Sequence, residues 1–230
     1  MELHYFDQFY DKGLAWYQKF FAQSESAQAI GEKTASYFYV PECAERIKRT
    51  LETVRLVVVL RNPIDRAYSH YRRWIAGRTI ALTTSFRDCF RTDPRILEMG
   101  NYYDHLIRYL DYFSMDDILV LFSDDLFRAP SQEIGHILRF LGLDDDHSLD
   151  VVGNYNQTPK VYRFGAYVLP QRVARAFEKR LPLGPAKGLR DLIEHRFEPI
   201  SDDDRDYLKE YYSRQNEKLF KLLNSPKCWS

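Results

Sequence analysis

Cysteine is scarce in this 230-residue chain: Cys43, Cys89 and Cys228 are an odd number at wide spacings. That excludes a disulfide scaffold and the paired CxxC arrangement of a zinc site, and leaves buried or idle thiols as the reading. His70, His105, His136, His147 and His195 show no HxxxH spacing, so no metal site is expected. Net charge is also missing. Thirty-three basic residues balance thirty-three acidic ones, leaving no global field to hold a nucleic acid or an anionic membrane surface. No apolar run approaches the roughly 18 residues of a membrane span, and the opening stretch has no basic region followed by a hydrophobic one. A soluble, cytoplasmic protein with no membrane span and no nucleic-acid partner is the expectation. None of the ten glycines falls in a GxxxxGK or GxxKxGT-like pattern, and no magnesium-binding acid stands out, so a phosphate-transferring kinase is disfavoured. Internal repeats, low-complexity tracts and linkers are absent.

What the chain does have is apolar mass. With 45% hydrophobic residues, including 17 tyrosines and 15 phenylalanines, it can bury a substantial core, and its length favours one domain over 1–230. The most informative stretch is RLVVVLRNPIDRAYSHY, residues 55–71. Leu56 to Leu60 are apolar without alternation, as in a parallel strand buried on both faces. Arg61 then falls at the carboxyl end of that strand. Asn62 suits a helix cap and Pro63 the first helical position, so the next helix opens with free N–H groups and its positive dipole end at the same crevice. Ser69 adds a hydroxyl two turns in. Ile64, Tyr68, Tyr71 and Ile75 form the core-facing stripe, leaving Arg61, Arg66, Ser69 and Arg73 towards crevice or solvent. From the residues alone, a phosphate site and a set of solvated surface charges explain this edge equally well.

Elsewhere the periodicity predicts a short amphipathic helix from Gly13, a brief strand from Ala29 that passes into a loop at Glu32 and Lys33, and a helix over 41–51. Helical spacing returns from Asn101, and Ile118 to Phe122 make a second continuous apolar strand. A helix opened by Pro130 and Ser131 closes at Gly142. Residues 144–164 read as a long functional loop, followed by helices from about Val168 and Pro185. The last helix starts at Ser201, with Asp202, Asp203 and Asp204 in its first turn, and runs to about Leu223.

Six segments in series carry a family resemblance: ELHYFD at Glu2, KGLAWYQKFF at Lys12, GEKTASYF at Gly31, RLVVVLRNPIDRAYSHY at Arg55, GNYYDHLIRYLDYF at Gly100 and ILVLFSDDLFRAP at Ile118. Together the chain resembles the nucleotide-dependent sulfotransferases, particularly the heparan sulfate N- and 3-O-sulfotransferases and their bacterial relatives. The resemblance implies an α/β fold of three layers, a mainly parallel sheet flanked by helices and related to nucleoside kinases. It implies transfer of a sulfonyl group from 3′-phosphoadenosine 5′-phosphosulfate to a hydroxyl or amine, with a carbohydrate as the expected acceptor and 3′-phosphoadenosine 5′-phosphate as product. The expected partners are therefore this nucleotide donor and a small-molecule or glycan acceptor.

By the same resemblance Arg61 and Ser69 hold the donor's 3′-phosphate, a role that suits a guanidinium fork and a hydroxyl near a helix N-terminus. Glu2 becomes the general base, His4 orients it or shares its proton, and Asp7 holds the acceptor. Lys33 stabilises charge on the leaving oxygen. Lys160 and Arg163, in TPKVYRFGAY, match a loop that closes over the nucleotide, although solvated lid charges explain them equally well. The family's glycine-rich 5′-phosphosulfate loop belongs upstream of ELHYFD and is not in this sequence. The expectation is an N-terminally truncated fold, from a shortened chain or a misplaced start. The alternative is a genuine short form that binds nucleotide or glycan without catalysis.

Overall fold

Helix starts carry the strongest local signals, and the computed structural model, which describes residues 2–22, 27–144, 161–164, 167–168, 194–195 and 197–229, places them accordingly. In chain order the elements are α1 (Leu14–Gln18), α2 (Cys43–Thr50), β1 (Leu56–Leu60), α3 (Pro63–Ala76), α4 (Phe86–Thr92), α5 (Arg95–Glu98) and α6 (Tyr102–Leu110). They continue with β2 (Ile118–Phe122), α7 (Ser123–Arg128), α8 (Pro130–Leu141), β3 (Val161–Phe164), β4 (Tyr167–Val168), β5 (Glu194–His195) and α9 (Asp202–Leu222). Asn62 caps α3 through Oδ1, which accepts from Ile64 N at 3.0 Å, and Pro63 occupies the position where a missing N–H costs nothing. α8 ends at Gly142, whose φ of +72° lets the chain leave the helix in a conformation that a Cβ disfavours. Ser201 accepts from Asp204 N at 3.2 Å and so starts α9.

β1 and β2 pair in parallel, Leu56 opposite Ile118 through Leu60 opposite Phe122, which bears out the α/β reading. A separate antiparallel sheet sets β3 between β4 and β5, with Arg163 opposite Val168 and Val161 opposite His195. The expected helices from about Val168 and Pro185 lie outside the described residues, apart from Val168 itself, which ends β4.

Two expectations are corrected. β1 is not buried on both faces: Leu60 is covered, but Val57 is 38% and Val59 51% exposed, so one face of this strand is open. A continuous apolar run fixes strand character and leaves open whether both faces find cover. The predicted strand from Ala29 is instead irregular chain followed by a 3-10 turn at Ala35–Phe38. Its side chains reach across to the amides of residues 3–6, as described below.

The chain divides into two compact units. The first comprises Met1–Arg61, Asn101–Val152 and Gln215–Lys227. Its core gathers the aromatic residues of the N-terminal segment: Tyr5 stacks on Tyr17 at 4.5 Å, Phe6 meets Tyr37 edge-on at 5.4 Å, and Phe38 packs on Tyr109 at 5.9 Å. The second comprises Asn62–Gly100, Gly153–Arg214 and Cys228–Ser230. There Ile64, Tyr71 and Ile75 of α3 are buried with Phe86 and Phe90 of α4, Ile96 and Leu97 of α5, and Leu208 and Tyr212 of α9. Tyr68 completes the expected α3 stripe as a partly buried member. Gly100 packs in this unit so closely that a Cβ there would meet the Tyr212 hydroxyl at 2.8 Å and its ring at 2.9 Å.

Candidate active site

Four of the residues singled out from sequence converge in the first unit. Glu2 Oε1 receives Lys33 Nζ at 2.8 Å and Ala35 N at 3.2 Å, while Glu2 Oε2 lies 3.7 Å from His4 Nε2. The other ring nitrogen, His4 Nδ1, is 3.0 Å from Asp7 Oδ2, which also accepts from Ser36 Oγ at 2.5 Å. A carboxylate only accepts, so the Asp7 bond places the proton on Nδ1 and leaves Nε2 turned to Glu2. The order is therefore ammonium, carboxylate, imidazole, carboxylate.

Electrostatics follow from the contacts. The Lys33 ammonium, then the Ala35 N–H and the His4 ring, hold the Glu2 carboxyl below the usual carboxylate range, outweighing a modest desolvation in the opposite sense. Burial pushes the Asp7 carboxyl up, but the hydrogen bonds from Ser36 and His4 prevail and keep it low. Both are ionised at neutral pH. Asp7 is almost wholly covered, whereas the Glu2 and Lys33 side chains are 38% and 76% exposed. The Glu2–Lys33 pair is thus open to solvent and worth little by itself, so an incoming anion can draw the lysine away.

The backbone supports the cluster with a strained residue. His4 has φ of +54°, the left-handed region that non-glycine residues rarely occupy and that costs free energy unless neighbours enforce it. Thr34 Oγ1 accepts from Leu3 N at 3.2 Å and His4 N at 3.4 Å, and Tyr37 OH accepts from Tyr5 N at 2.7 Å and Phe6 N at 3.3 Å. Glu32 in turn accepts from Thr34 Oγ1 at 3.0 Å, Tyr37 OH at 2.9 Å and Tyr17 OH at 3.1 Å. Thr34, Ser36 and Tyr37 entered the sequence analysis only within the quoted segment GEKTASYF, and their part in holding the turn was not read there. The available signal was a hydroxyl at three of five positions after Glu32.

Arg61 also belongs to the first unit. Its carbonyl accepts from Tyr102 OH at 3.0 Å, which pins the end of β1, and its exposed side chain has no hydrogen bond or ion pair among the described residues. Ser69 is half-buried on α3 in the second unit. Arg66, grouped with them from sequence, is committed elsewhere: its guanidinium donates to Ile96 O and lies 3.8 Å from Met99 Sδ. Arg163 lies in β3, and Lys160 is outside the described residues. Cys43 and Cys89 are buried and Cys228 is exposed, as expected for idle thiols. Among the described residues no cluster of metal-ligating side chains forms, and no helix is long and apolar enough to cross a membrane.

A sulfotransferase domain matches residues 8–158, more than half of the chain, and the chain belongs to that family. It is 35% identical over 149 residues to mouse heparan sulfate glucosamine 3-O-sulfotransferase 6, a match covering 62% of this chain and 43% of that protein. It is also 28% identical over 233 residues to the bifunctional heparan sulfate N-deacetylase/N-sulfotransferase 1 of Xenopus laevis, covering 95% of this chain and 25% of the relative. The chain thus spans less than half the length of these curated relatives. A crystal structure of a sulfotransferase from Alicyclobacillus acidocaldarius superposes with a TM-score of 0.67 at 18% identity, covering 94% of this chain and 73% of that one. The fold is therefore that of a sulfotransferase.

Proposed function

We propose that this protein transfers a sulfonyl group from 3′-phosphoadenosine 5′-phosphosulfate to a hydroxyl or amine of a glycan. The observation that carries the reading is the convergence of Lys33, Glu2, His4 and Asp7 on one strained turn. As the acceptor oxygen or nitrogen attacks sulfur, Glu2 takes its proton; the bond from sulfur to the bridging phosphate oxygen breaks, and the Lys33 ammonium meets the negative charge left on that oxygen. In the free protein Lys33 holds Glu2 Oε1. Drawing Lys33 to the donor removes the main influence that keeps the carboxyl acidic, so Glu2 becomes more basic as the donor arrives. Asp7, covered as it is, acts through His4; gripping the acceptor itself requires it to come out of cover.

The guanidinium of Arg61, exposed and without a hydrogen bond or ion pair among the described residues, suits the donor's 3′-phosphate, and Ser69 is assigned to that phosphate by the family resemblance. Lys160 and Arg163 are proposed to approach the same nucleotide. A glycan acceptor is supported by the names of the relatives, both of which give heparan sulfate and one of which gives its glucosamine. Calorimetric titration with 3′-phosphoadenosine 5′-phosphate tests the donor half: the protein binds and Arg61→Ala loses at least about tenfold in affinity, as expected for a charge-assisted phosphate contact. Equal affinity in the variant contradicts the assignment. Transfer of labelled sulfonyl to glucosamine-containing oligosaccharides tests the acceptor half. Binding without any transfer favours instead a nucleotide- or glycan-binding protein.

A further inference from the structure

We infer that Glu32 is a positioning residue which, through the hydroxyls of Thr34 and Tyr37, holds four successive backbone amides and thereby sets the conformation of the Glu2–Asp7 turn. The inference rests on the reading of that turn as the catalytic segment. A carboxylate has no proton to give, so every hydroxyl that meets it must donate. Glu32 Oε2 takes the Thr34 proton and Oε1 takes those of Tyr37 and Tyr17. Thr34 Oγ1 and Tyr37 OH are then left with lone pairs alone, and these point at N–H groups: Leu3 and His4 on the threonine, Tyr5 and Phe6 on the tyrosine. Among the described residues no sheet neighbour serves these four amides, and three of the residues carrying them, Leu3, Tyr5 and Phe6, are buried. Their orientation is therefore imposed by one side chain at one remove.

The consequence reaches the reacting groups. His4 sits in the middle of the four amides with its φ of +54°, and only a turn held on both sides of it keeps the imidazole over Glu2 Oε2 at 3.7 Å. Glu32 precedes Lys33 and lies three residues before Ala35, so the same carboxylate anchors the loop that delivers the ammonium and the N–H to Glu2 Oε1. Burial, reinforced by the Glu32 charge, pushes the Tyr17 phenol far above its ordinary value; burial likewise raises Tyr37, so both keep the protons they donate.

Glu32→Gln is the direct test. An amide of the same shape brings its own N–H₂ to one of the hydroxyls, which must then turn a proton towards the turn it used to accept from. Two readouts need no turnover: hydrogen exchange at the amides of residues 3–6, and the NMR titration of the Glu2 carboxyl, which faces Lys33, His4 and the Ala35 N–H. Exchange at those amides should rise by about tenfold or more while other core amides stay protected. The Glu2 carboxyl should titrate at higher pH, because Lys33 and Ala35 no longer hold it. Thr34→Ser keeps the relay and should leave both readouts unchanged, whereas Thr34→Val should loosen the amides of Leu3 and His4; this pair decides the matter if Glu32→Gln does not fold. Unchanged exchange in Glu32→Gln, or in Thr34→Val, overturns the inference. Because neither readout measures catalysis, the relay can stand or fall independently of the role given to Glu2, which the rate of Glu2→Gln decides.

Discussion

Removing one oxygen atom from Tyr37 isolates the hydroxyl at the centre of the site's support. In Tyr37→Phe the ring keeps its edge-on contact with Phe6 at 5.4 Å, and the Tyr37 carbonyl still accepts from Tyr109 OH at 2.8 Å. Only the oxygen that serves Tyr5 N, Phe6 N and Glu32 disappears. Tyr37 is 9% exposed and Tyr5 and Phe6 are 2% exposed each, so water does not readily replace it. An orphaned buried N–H costs about 1–3 kcal/mol. The Tyr5 contact is short and the Phe6 contact long, which puts the total at about 2–4 kcal/mol. Urea unfolding followed by circular dichroism measures it as a lowered midpoint with the slope unchanged. Tyr17→Phe, which removes a donor to Glu32 and orphans no N–H, should cost less. A loss below about 0.5 kcal/mol in Tyr37→Phe, or a larger loss in Tyr17→Phe, refutes the accounting given for orphaned amides.

Two further outcomes follow from the second unit and the thiols. Burial, with Arg66 and Arg73 adding to it, lowers the His70 imidazole from 6.5 to about 4, so below pH 6.5 the unfolded chain binds a proton that the folded one refuses. Stability contributed by neutral His70 is complete above pH 6.5 and is lost as pH falls towards 4; after allowance for partial exposure the loss is about 1–2 kcal/mol, and His70→Gln should abolish that part of the pH dependence in unfolding titrations. A thiol reagent at pH 8 should modify Cys228 rapidly and leave Cys43 and Cys89 untouched until the protein unfolds, because burial pushes their thiols up to about 12 and about 11. Fast modification of more than one thiol, read by mass spectrometry, contradicts the described burial.

Where a residue type acts on its own neighbours, the sequence was sufficient. Asn62 and Pro63 marked the start of α3, Pro130 and Gly142 bracketed α8, and Ser201 opened α9, because caps and punctuating residues work through the local backbone. α4 went unread although Ser85 accepts from Asp88 N and Phe86, Cys89 and Phe90 repeat at helical spacing; a two-turn helix is too short for its period to stand out. The segment 29–38 misled for a different reason. Thr34 and Tyr37 accept from amides some thirty residues away while Glu32 takes their protons, and no local pattern reveals such a partner. Likewise the open face of β1 at Val57 and Val59 depends on what packs there. Within the candidate site, the residue types of Glu2, His4, Asp7 and Lys33 were legible only through the family resemblance, since their convergence links positions 2–7 with 33–36 through long-range contacts.

The most direct measurement is the rate of sulfonyl transfer by Glu2→Gln alongside its affinity for 3′-phosphoadenosine 5′-phosphate. Removing a general base slows such a step by about 10²–10⁴-fold. The account predicts a loss of that size in kcat with nucleotide affinity retained within about twofold, because Arg61 and Ser69, assigned to the phosphate, are untouched. A variant that turns over as fast as the unaltered protein contradicts it.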